Sequence, residues 1–91
     1  MTKKEQIIIL IESDILSSKL IITLTNIGID AGNYVTDISR VVFAMIGIEE
    51  TEELLENYFT IINQVEHFDI LQADEKNRLA IKCYNFLISK T

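Results

Sequence analysis

The sequence predicts an all-helical domain of four helices, and three observations support this fold class. The 91-residue chain has no proline and three glycines, whereas sheet-rich domains use many of both in tight turns. Apolar residues recur at steps of three, four and seven, which is the spacing of one helix face. Two Ile-Gly-Ile-acid segments interrupt this periodic pattern. We therefore expect one domain over residues 1–91, a compact bundle of four helices with the first helix longest.

The first predicted helix covers Lys3 to Asn26. Thr2 and Glu5 have the spacing of a capping box, in which each residue satisfies a backbone N–H of the other. The apolar residues form two rows at helical spacing, which are Ile8, Ile11, Ile15 and Ile22, and Ile9, Leu16, Leu20, Leu24 and Ile27. Together the two rows indicate a helix with neighbours on several sides. The β-branched segment Ile7 to Ile11 also fits a buried strand, but no later segment offers such a strand a clear pairing partner.

The two Ile-Gly-Ile-acid segments are typical of places where one helix ends and the next begins. Gly28 and Gly47 follow predicted helices, where glycine adopts the left-handed backbone conformation that other residues resist. The isoleucine after each glycine is placed to pack on the preceding turn, and the acidic residue that follows is placed to cap the next helix. Because Glu49 is a poorer cap than an aspartate, Thr51 is an alternative start for the third helix.

Three more helices are expected after the first. They run from about Ala31 to Ile46, from about Glu50 to Glu66 and from about Asp74 to Ser89. Each carries an apolar row, and the rows are Val35, Ile38, Val42 and Met45, then Leu54, Leu55, Tyr58, Ile61, Ile62 and Val65, and finally Leu79, Cys83, Phe86 and Leu87. The connection over residues 67–73 is expected to pack as a buried lid. Both an up-down-up-down bundle and an orthogonal array fit this pattern.

Few residues offer catalytic or metal-binding chemistry. His67 is the single histidine, and it lacks the Glu-x-x-His spacing of di-iron bundles because a glutamine stands three residues before it. Cys83 is expected to be a small buried apolar residue. Tyr34, Tyr58 and Tyr84 are expected at the edge of the core with their hydroxyls in water, and their alternative use is to line a ligand pocket. We therefore predict no enzymatic activity, no cofactor and no metal site.

An acidic run opens the third helix and consists of Glu49, Glu50, Glu52, Glu53 and Glu56. Carboxylates are favoured there because the first backbone N–H groups of a helix are exposed, so a solvated helix start is the first interpretation. The alternative is an acidic surface that docks a basic protein. The chain has 8 basic and 14 acidic residues and a formal net charge of −6, which argues against binding to nucleic acid.

The fourth helix has a second apolar row, Ile81, Tyr84 and Ile88, that a single four-helix core does not cover. Two-fold pairing of identical chains is the commonest way to bury such surface. The sequence thus predicts a non-catalytic helical protein-interaction module that forms a homodimer through this row. The alternatives are a small-molecule-binding helical bundle, and an acidic inhibitor or adaptor that docks on a basic protein surface.

The compartment expected from these features is the cytoplasm. Cys83 has no second cysteine to pair with, whereas a secreted domain of this size usually needs disulfides. The apolar run Ile7 to Ile11 is short for a signal peptide, and Glu12 and Asp14 end it. Because Lys19 and Asn26 follow within the next residues, no membrane-spanning segment is expected.

Overall fold

The computed structural model describes residues 1–28, 36–64 and 73–91 of the chain. These ranges contain helices and no strand, in the order α1 (Lys3–Asn26), α2 (Thr36–Ile46), α3 (Glu52–Ile62) and α4 (Ala73–Ile88). The predicted all-helical class is therefore confirmed, and α1 is the longest helix at 24 residues. The segment Ile7 to Ile11 is helical, so its interpretation as a strand is wrong.

The start of α1 follows the predicted capping pattern with one difference. The backbone N–H of Glu5 donates to the Thr2 hydroxyl at 3.1 Å, as expected of an N-cap threonine. The Glu5 carboxylate accepts from that same hydroxyl, at 3.1 Å, instead of from the Thr2 backbone N–H. At the other end of α1, Gly28 has the predicted positive φ of 88°, and its N–H donates to the Thr25 carbonyl at 3.0 Å.

The end of α2 and the start of α3 are as predicted. Gly47 has a φ of 86°, and the Phe43 carbonyl accepts from the N–H groups of Gly47 and Ile48 at 2.9 and 3.0 Å. Ile48 packs against the core, as the residue after a capping glycine often does. Thr51 is the N-cap of α3, and its hydroxyl accepts from the Leu54 N–H at 3.2 Å.

One difference concerns the end of a helix. The third helix ends at Ile62, before the expected Glu66, where the Gln64 N–H donates to the Ile61 carbonyl at 3.1 Å in a tightened final turn. The fourth begins and ends within one residue of the expected bounds. The expectations for Ile29, Asp30, Gly32, Tyr34, Val35, Val65 and His67, and for the buried lid, lie outside the described residues.

The first helix is the centre of the packing. It contacts each of the other three helices, most extensively α4 and α2, while α3 packs mainly against α4. The buried apolar side chains come from all four helices and are Ile7, Ile8, Ile11, Ile15, Val42, Phe43, Tyr58, Ile62, Leu79, Ala80, Cys83 and Leu87. Only one of the two apolar rows of α1 therefore enters the core.

Candidate functional site

A buried carboxylate lies at the junction of three helices. Asp14 of α1 is fully buried, and its Oδ2 atom accepts a hydrogen bond from the Ser39 hydroxyl of α2 at 2.8 Å. The same oxygen accepts a hydrogen bond from the Tyr58 hydroxyl of α3. Ser39 and Tyr58 are also fully buried, and the Tyr58 ring packs edge-on against Phe43 with the ring centroids 5.5 Å apart. We refer to Asp14, Ser39 and Tyr58 as the buried polar cluster.

The electrostatics of this cluster are set by burial. Within the described ranges, the second carboxylate oxygen of Asp14 has no hydrogen-bond partner. Burial raises the pKa of Asp14 above its ordinary value, and the hydroxyls of Tyr58 and Ser39 oppose part of that rise by donating to the carboxylate. Burial and the nearby Asp14 carboxylate raise the pKa of the Tyr58 hydroxyl as well. The same two causes raise the pKa of the Cys83 thiol to about 12.

The chemistry that this cluster can perform is limited by its surroundings. A serine, a carboxylate and a thiol also occur in nucleophilic catalysis, but a nucleophile must meet its substrate and be activated by a positioned base. Here Ser39, Tyr58 and Cys83 are sealed from solvent, and the raised pKa of Cys83 keeps its thiol protonated. The arrangement instead joins α1, α2 and α3 through directional hydrogen bonds, which favour one packing of the helices over others.

Sequence reasoning did not identify this cluster. Asp14 served only to end an apolar run, and Ser39 was not singled out. One signal in the sequence indicated that Asp14 is buried. Ile7, Ile11, Asp14 and Ser18 follow one another at steps of four, three and four residues, so Asp14 lies on the same helix face as the two isoleucines. Tyr58 was expected at the core edge with its hydroxyl in water, and this expectation is wrong because Asp14 satisfies that hydroxyl inside the core.

A second polar contact ties the middle of α1 to the end of α3. The Ser18 hydroxyl donates to the Asn63 side-chain carbonyl at 2.6 Å, and the Lys19 ammonium lies 3.4 Å from the Asn63 backbone carbonyl. Lys19 is only 7% exposed, and burial lowers its pKa. A cation beside the last carbonyls of a helix is favoured by the helix dipole, which offsets part of this desolvation.

The outward side of α1 carries the other apolar row. Four of its five side chains are substantially exposed, with values of 46% for Ile9, 40% for Leu16, 51% for Leu20 and 67% for Ile27, whereas Leu24 is half-buried. Ser13 and Thr23 fall between them at the same helical spacing and are exposed too. We call these six exposed residues the α1 outer stripe. The sequence predicted both rows but not which of them faces solvent.

The predicted interface row of α4 is partly used inside the chain. Ile81 and Tyr84 are half-buried and pack against the core, whereas Ile88 is 41% exposed. Tyr84 lies at the core edge as expected, with the Lys4 ammonium 5.4 Å from its ring centroid. Tyr84 and Ile88 also line a groove of about 140 Å³ beside the start of α1.

The five residues of the predicted acidic surface, Glu49, Glu50, Glu52, Glu53 and Glu56, are all exposed around the start of α3. Glu50 forms an ion pair with Arg40, with Nε and Oε1 3.6 Å apart. Glu49 and Glu53 line an open cleft of about 490 Å³, together with Leu54, Lys90 and other residues near the C-terminal end. The acidic surface is therefore accessible and borders a concave region.

Among the described residues, no group of three or more His, Cys, Asp or Glu side chains is arranged to hold a metal ion. None of the helices in those ranges is both long enough and apolar enough to cross a membrane. Comparison of the chain with family models, curated proteins and solved structures gives no match.

Proposed function

We propose that the protein is a small, non-catalytic helical interaction module that self-associates. The observation that carries this proposal is the α1 outer stripe, where four aliphatic side chains in one row are 40% to 67% exposed. Single exposed apolar residues are common on protein surfaces, but a continuous row along a helix is the pattern by which helices pack on one another. Pairing through such a row removes it from water, which is favourable.

The proposed lack of catalysis has two supports. The groups with the most perturbed pKa values, Asp14, Tyr58 and Cys83, are sealed in the core, whereas a catalytic centre needs a concave site open to substrate. The described part of the chain also offers no cluster of metal-ligating side chains. A polar cluster of this kind supports a structural use, as a device that fixes helix packing.

The α4 row Ile81, Tyr84 and Ile88 is the other candidate surface for self-association. Two of these residues already pack against the core, so Ile88 supplies most of the free apolar area of the row. The α1 outer stripe offers more exposed side chains in a single line. We therefore favour α1 over α4 as the main interface.

Docking of a basic partner protein on the acidic surface is a second candidate function. It is favoured by the open cleft in which Glu49 and Glu53 stand beside Leu54, because a lysine or arginine side chain can place its charge near carboxylates and its stem on an apolar residue. Binding of this kind weakens strongly as salt is added. Binding that is unchanged between low and physiological salt would count against this candidate.

A small-molecule-binding function is less well supported. Tyr58 is occupied by Asp14 in the core, and the groove beside Tyr84 is about 140 Å³ in volume. Ligand pockets usually measure about 300–1,000 Å³ and enclose most of the ligand, whereas the cleft of about 490 Å³ beside Glu49 and Glu53 is open. We also propose a cytoplasmic location. The single cysteine, Cys83, is buried and has no second cysteine with which to form a disulfide, whereas small secreted domains usually need disulfides.

The mass of the protein in solution tests the proposed self-association. Sedimentation equilibrium or light scattering over a micromolar concentration series should give a mass that rises from 10.4 kDa towards twice that value. A mass that stays at 10.4 kDa at every concentration would overturn the proposal.

A further inference from the structure

We propose that two copies of the chain pair through the α1 outer stripe, with their first helices antiparallel about a two-fold axis level with Ser18. This inference rests on the proposed self-association through α1 and adds the direction and the register of the pairing. The occupant of the stripe is thus a second copy of the same stripe.

The order of residues in the stripe is the first argument for a second copy. The stripe reads Ile, Ser, Leu, Leu, Thr, Ile, so it has nearly the same chemistry in both directions. Its members stand in pairs at equal distances on either side of residue 18, and these pairs are Ile9 with Ile27, Ser13 with Thr23, and Leu16 with Leu20. A two-fold interface uses the same patch on both chains and must be self-complementary. Antiparallel pairing centred on residue 18 meets this condition at all six positions.

The spacing of the stripe fits helix pairing. Its steps are four, three, four, three and four residues, which is the alternation of the apolar seam in coiled coils. From Ile9 to Ile27 the seam is ~27 Å long at the rise of an α-helix. In the antiparallel register, each isoleucine lies opposite the isoleucine at the other end, and the two leucines form the centre.

The two polar residues of the stripe, Ser13 and Thr23, already form hydrogen bonds within α1. The Ser13 hydroxyl donates to the Ile9 carbonyl at 3.1 Å, and the Thr23 hydroxyl donates to the Lys19 carbonyl at 3.0 Å. Because both hydroxyl protons are bonded within α1, covering these side chains leaves no donor without a partner. In the proposed pair, Ser13 lies opposite Thr23 of the second copy, so the small polar residues share one layer.

The charges of α1 leave the stripe free for an uncharged partner surface. Glu12 and Lys19 are the charged residues beside its middle, and both turn away from it. The Glu12 carboxylate accepts from Asn77 at 2.9 Å and lies 3.8 Å from the Lys76 ammonium, while Lys19 reaches towards Asn63. The chain has a net charge of −6, but the α1 outer stripe itself carries no charge. A second copy of the stripe is equally uncharged and therefore complements it, whereas a basic or an acidic surface does not.

The small area of this contact indicates a weak dimer. A seam of ~27 Å and a helix diameter of ~10 Å give a footprint of roughly 300 Å² on each chain. Stable interfaces bury about 800 Å² per partner, so pairing through α1 alone falls in the weak, transient class. The dimer is therefore expected to be weak and to dissociate on dilution.

Three glutamate variants locate the interface by sedimentation equilibrium. Leu20→Glu places charge at the centre of the stripe and should abolish the dimer. Val41→Glu on α2 is the matched control, because Val41 is 47% exposed and Leu20 is 51% exposed, and it should leave the dimer intact. Ile88→Glu tests the α4 row and should also leave the dimer intact. Helical circular dichroism and a thermal melt check that each variant is folded.

Cysteine pairing tests the direction of the helices. Ser13→Cys and Thr23→Cys chains, mixed and oxidised, should give a disulfide-linked dimer, because the antiparallel register brings these positions together. Neither variant oxidised by itself should give one, since two copies of position 13 then lie ~15 Å apart along the helices. The native Cys83 is fully buried and does not compete.

The outcomes separate this inference from the proposed function. A dimer that survives Leu20→Glu and is lost in Ile88→Glu keeps self-association and overturns the α1 interface. A Ser13→Cys chain that links to itself and not to Thr23→Cys overturns the antiparallel direction. A protein that is monomeric at every concentration overturns both the α1 interface and the proposed self-association. If that monomer is also destabilised by Leu20→Glu, another part of the same chain covers the stripe.

Discussion

The Tyr58 hydroxyl donates a hydrogen bond to the Asp14 carboxylate across 44 residues of sequence, with both side chains sealed from solvent. Ser39 donates to the same carboxyl oxygen from α2, so one buried carboxyl group organises three helices. Burying a polar group costs free energy unless hydrogen bonds replace its hydration, and here two hydroxyls donate to the carboxyl group.

Tyr58→Phe should destabilise the protein by about 1–3 kcal/mol, because the variant keeps the ring in the core and removes one of the donors to Asp14. Urea unfolding at neutral pH measures the change. Tyr84→Phe is the matched control, since Tyr84 lies at the core edge, and it should change the free energy of unfolding by less than about 0.5 kcal/mol. Equal stability of Tyr58→Phe and the parent would show that the hydrogen bond contributes nothing net.

The contribution of Asp14 to the free energy of unfolding should fall as the pH rises above its ordinary pKa of 3.8. Burial raises the pKa of Asp14 in the folded state, so the folded chain keeps a proton that the unfolded chain has already lost. The contribution of Asp14 is thus fully present below pH 3.8 and is lost as the pH rises through the folded-state pKa.

Asp14→Asn removes this titration. The difference in unfolding free energy between parent and Asp14→Asn, measured at intervals from about pH 4 to pH 8, should change in favour of the variant as the pH rises. The exposed residue Asn85 provides the control, because Asn85→Gln changes no titratable group and should give a difference nearly independent of pH. A change in favour of the parent would mean that the folded state prefers the ionised carboxylate.

Gly28→Ala and Gly47→Ala should each destabilise the protein by about 1 kcal/mol, because both glycines have a positive φ that alanine resists. An added Cβ atom meets nothing within 4 Å at either position, so the cost comes from the backbone conformation alone. Asn26→Ala, in the last turn of α1, is a control at an ordinary φ. Denaturant melts in which both glycine variants match the parent would refute the capping role.

The Cys83 thiol should react with an aromatic disulfide reagent only when the protein opens. The side chain is fully buried and its pKa is raised to about 12, so the thiolate is both scarce and inaccessible at pH 8. The labelling rate should increase steeply with urea and approach that of the unfolded chain. Thr60→Cys should label at once in the folded state, because position 60 is exposed and lies outside the α1 outer stripe.

Features that depend on residues close together in the sequence were predicted more accurately than features that depend on distant residues. The Thr2 cap, the turns at Gly28 and Gly47 and the bounds of α1 were predicted, since each depends on residues within one or two helical turns. The bounds of α3 were less accurate because its apolar pattern continues past Ile62 while the backbone does not. Candidate surfaces on α4 were named from periodicity, which cannot tell a half-buried side chain from a free one.

The sequence by itself determined the helical class, the order of the helices and most of their ends, because helical periodicity and capping are properties of neighbouring residues. The tertiary structure decided which row of α1 is buried, and it placed Ile11 and Ile15 in the core and Leu16 and Leu20 outside. It also decided that Asp14 is buried, through hydrogen bonds to residues 25 and 44 positions away. The physical reason is that the free energy of burying a side chain depends on the atoms that surround it, and those come from distant parts of the chain.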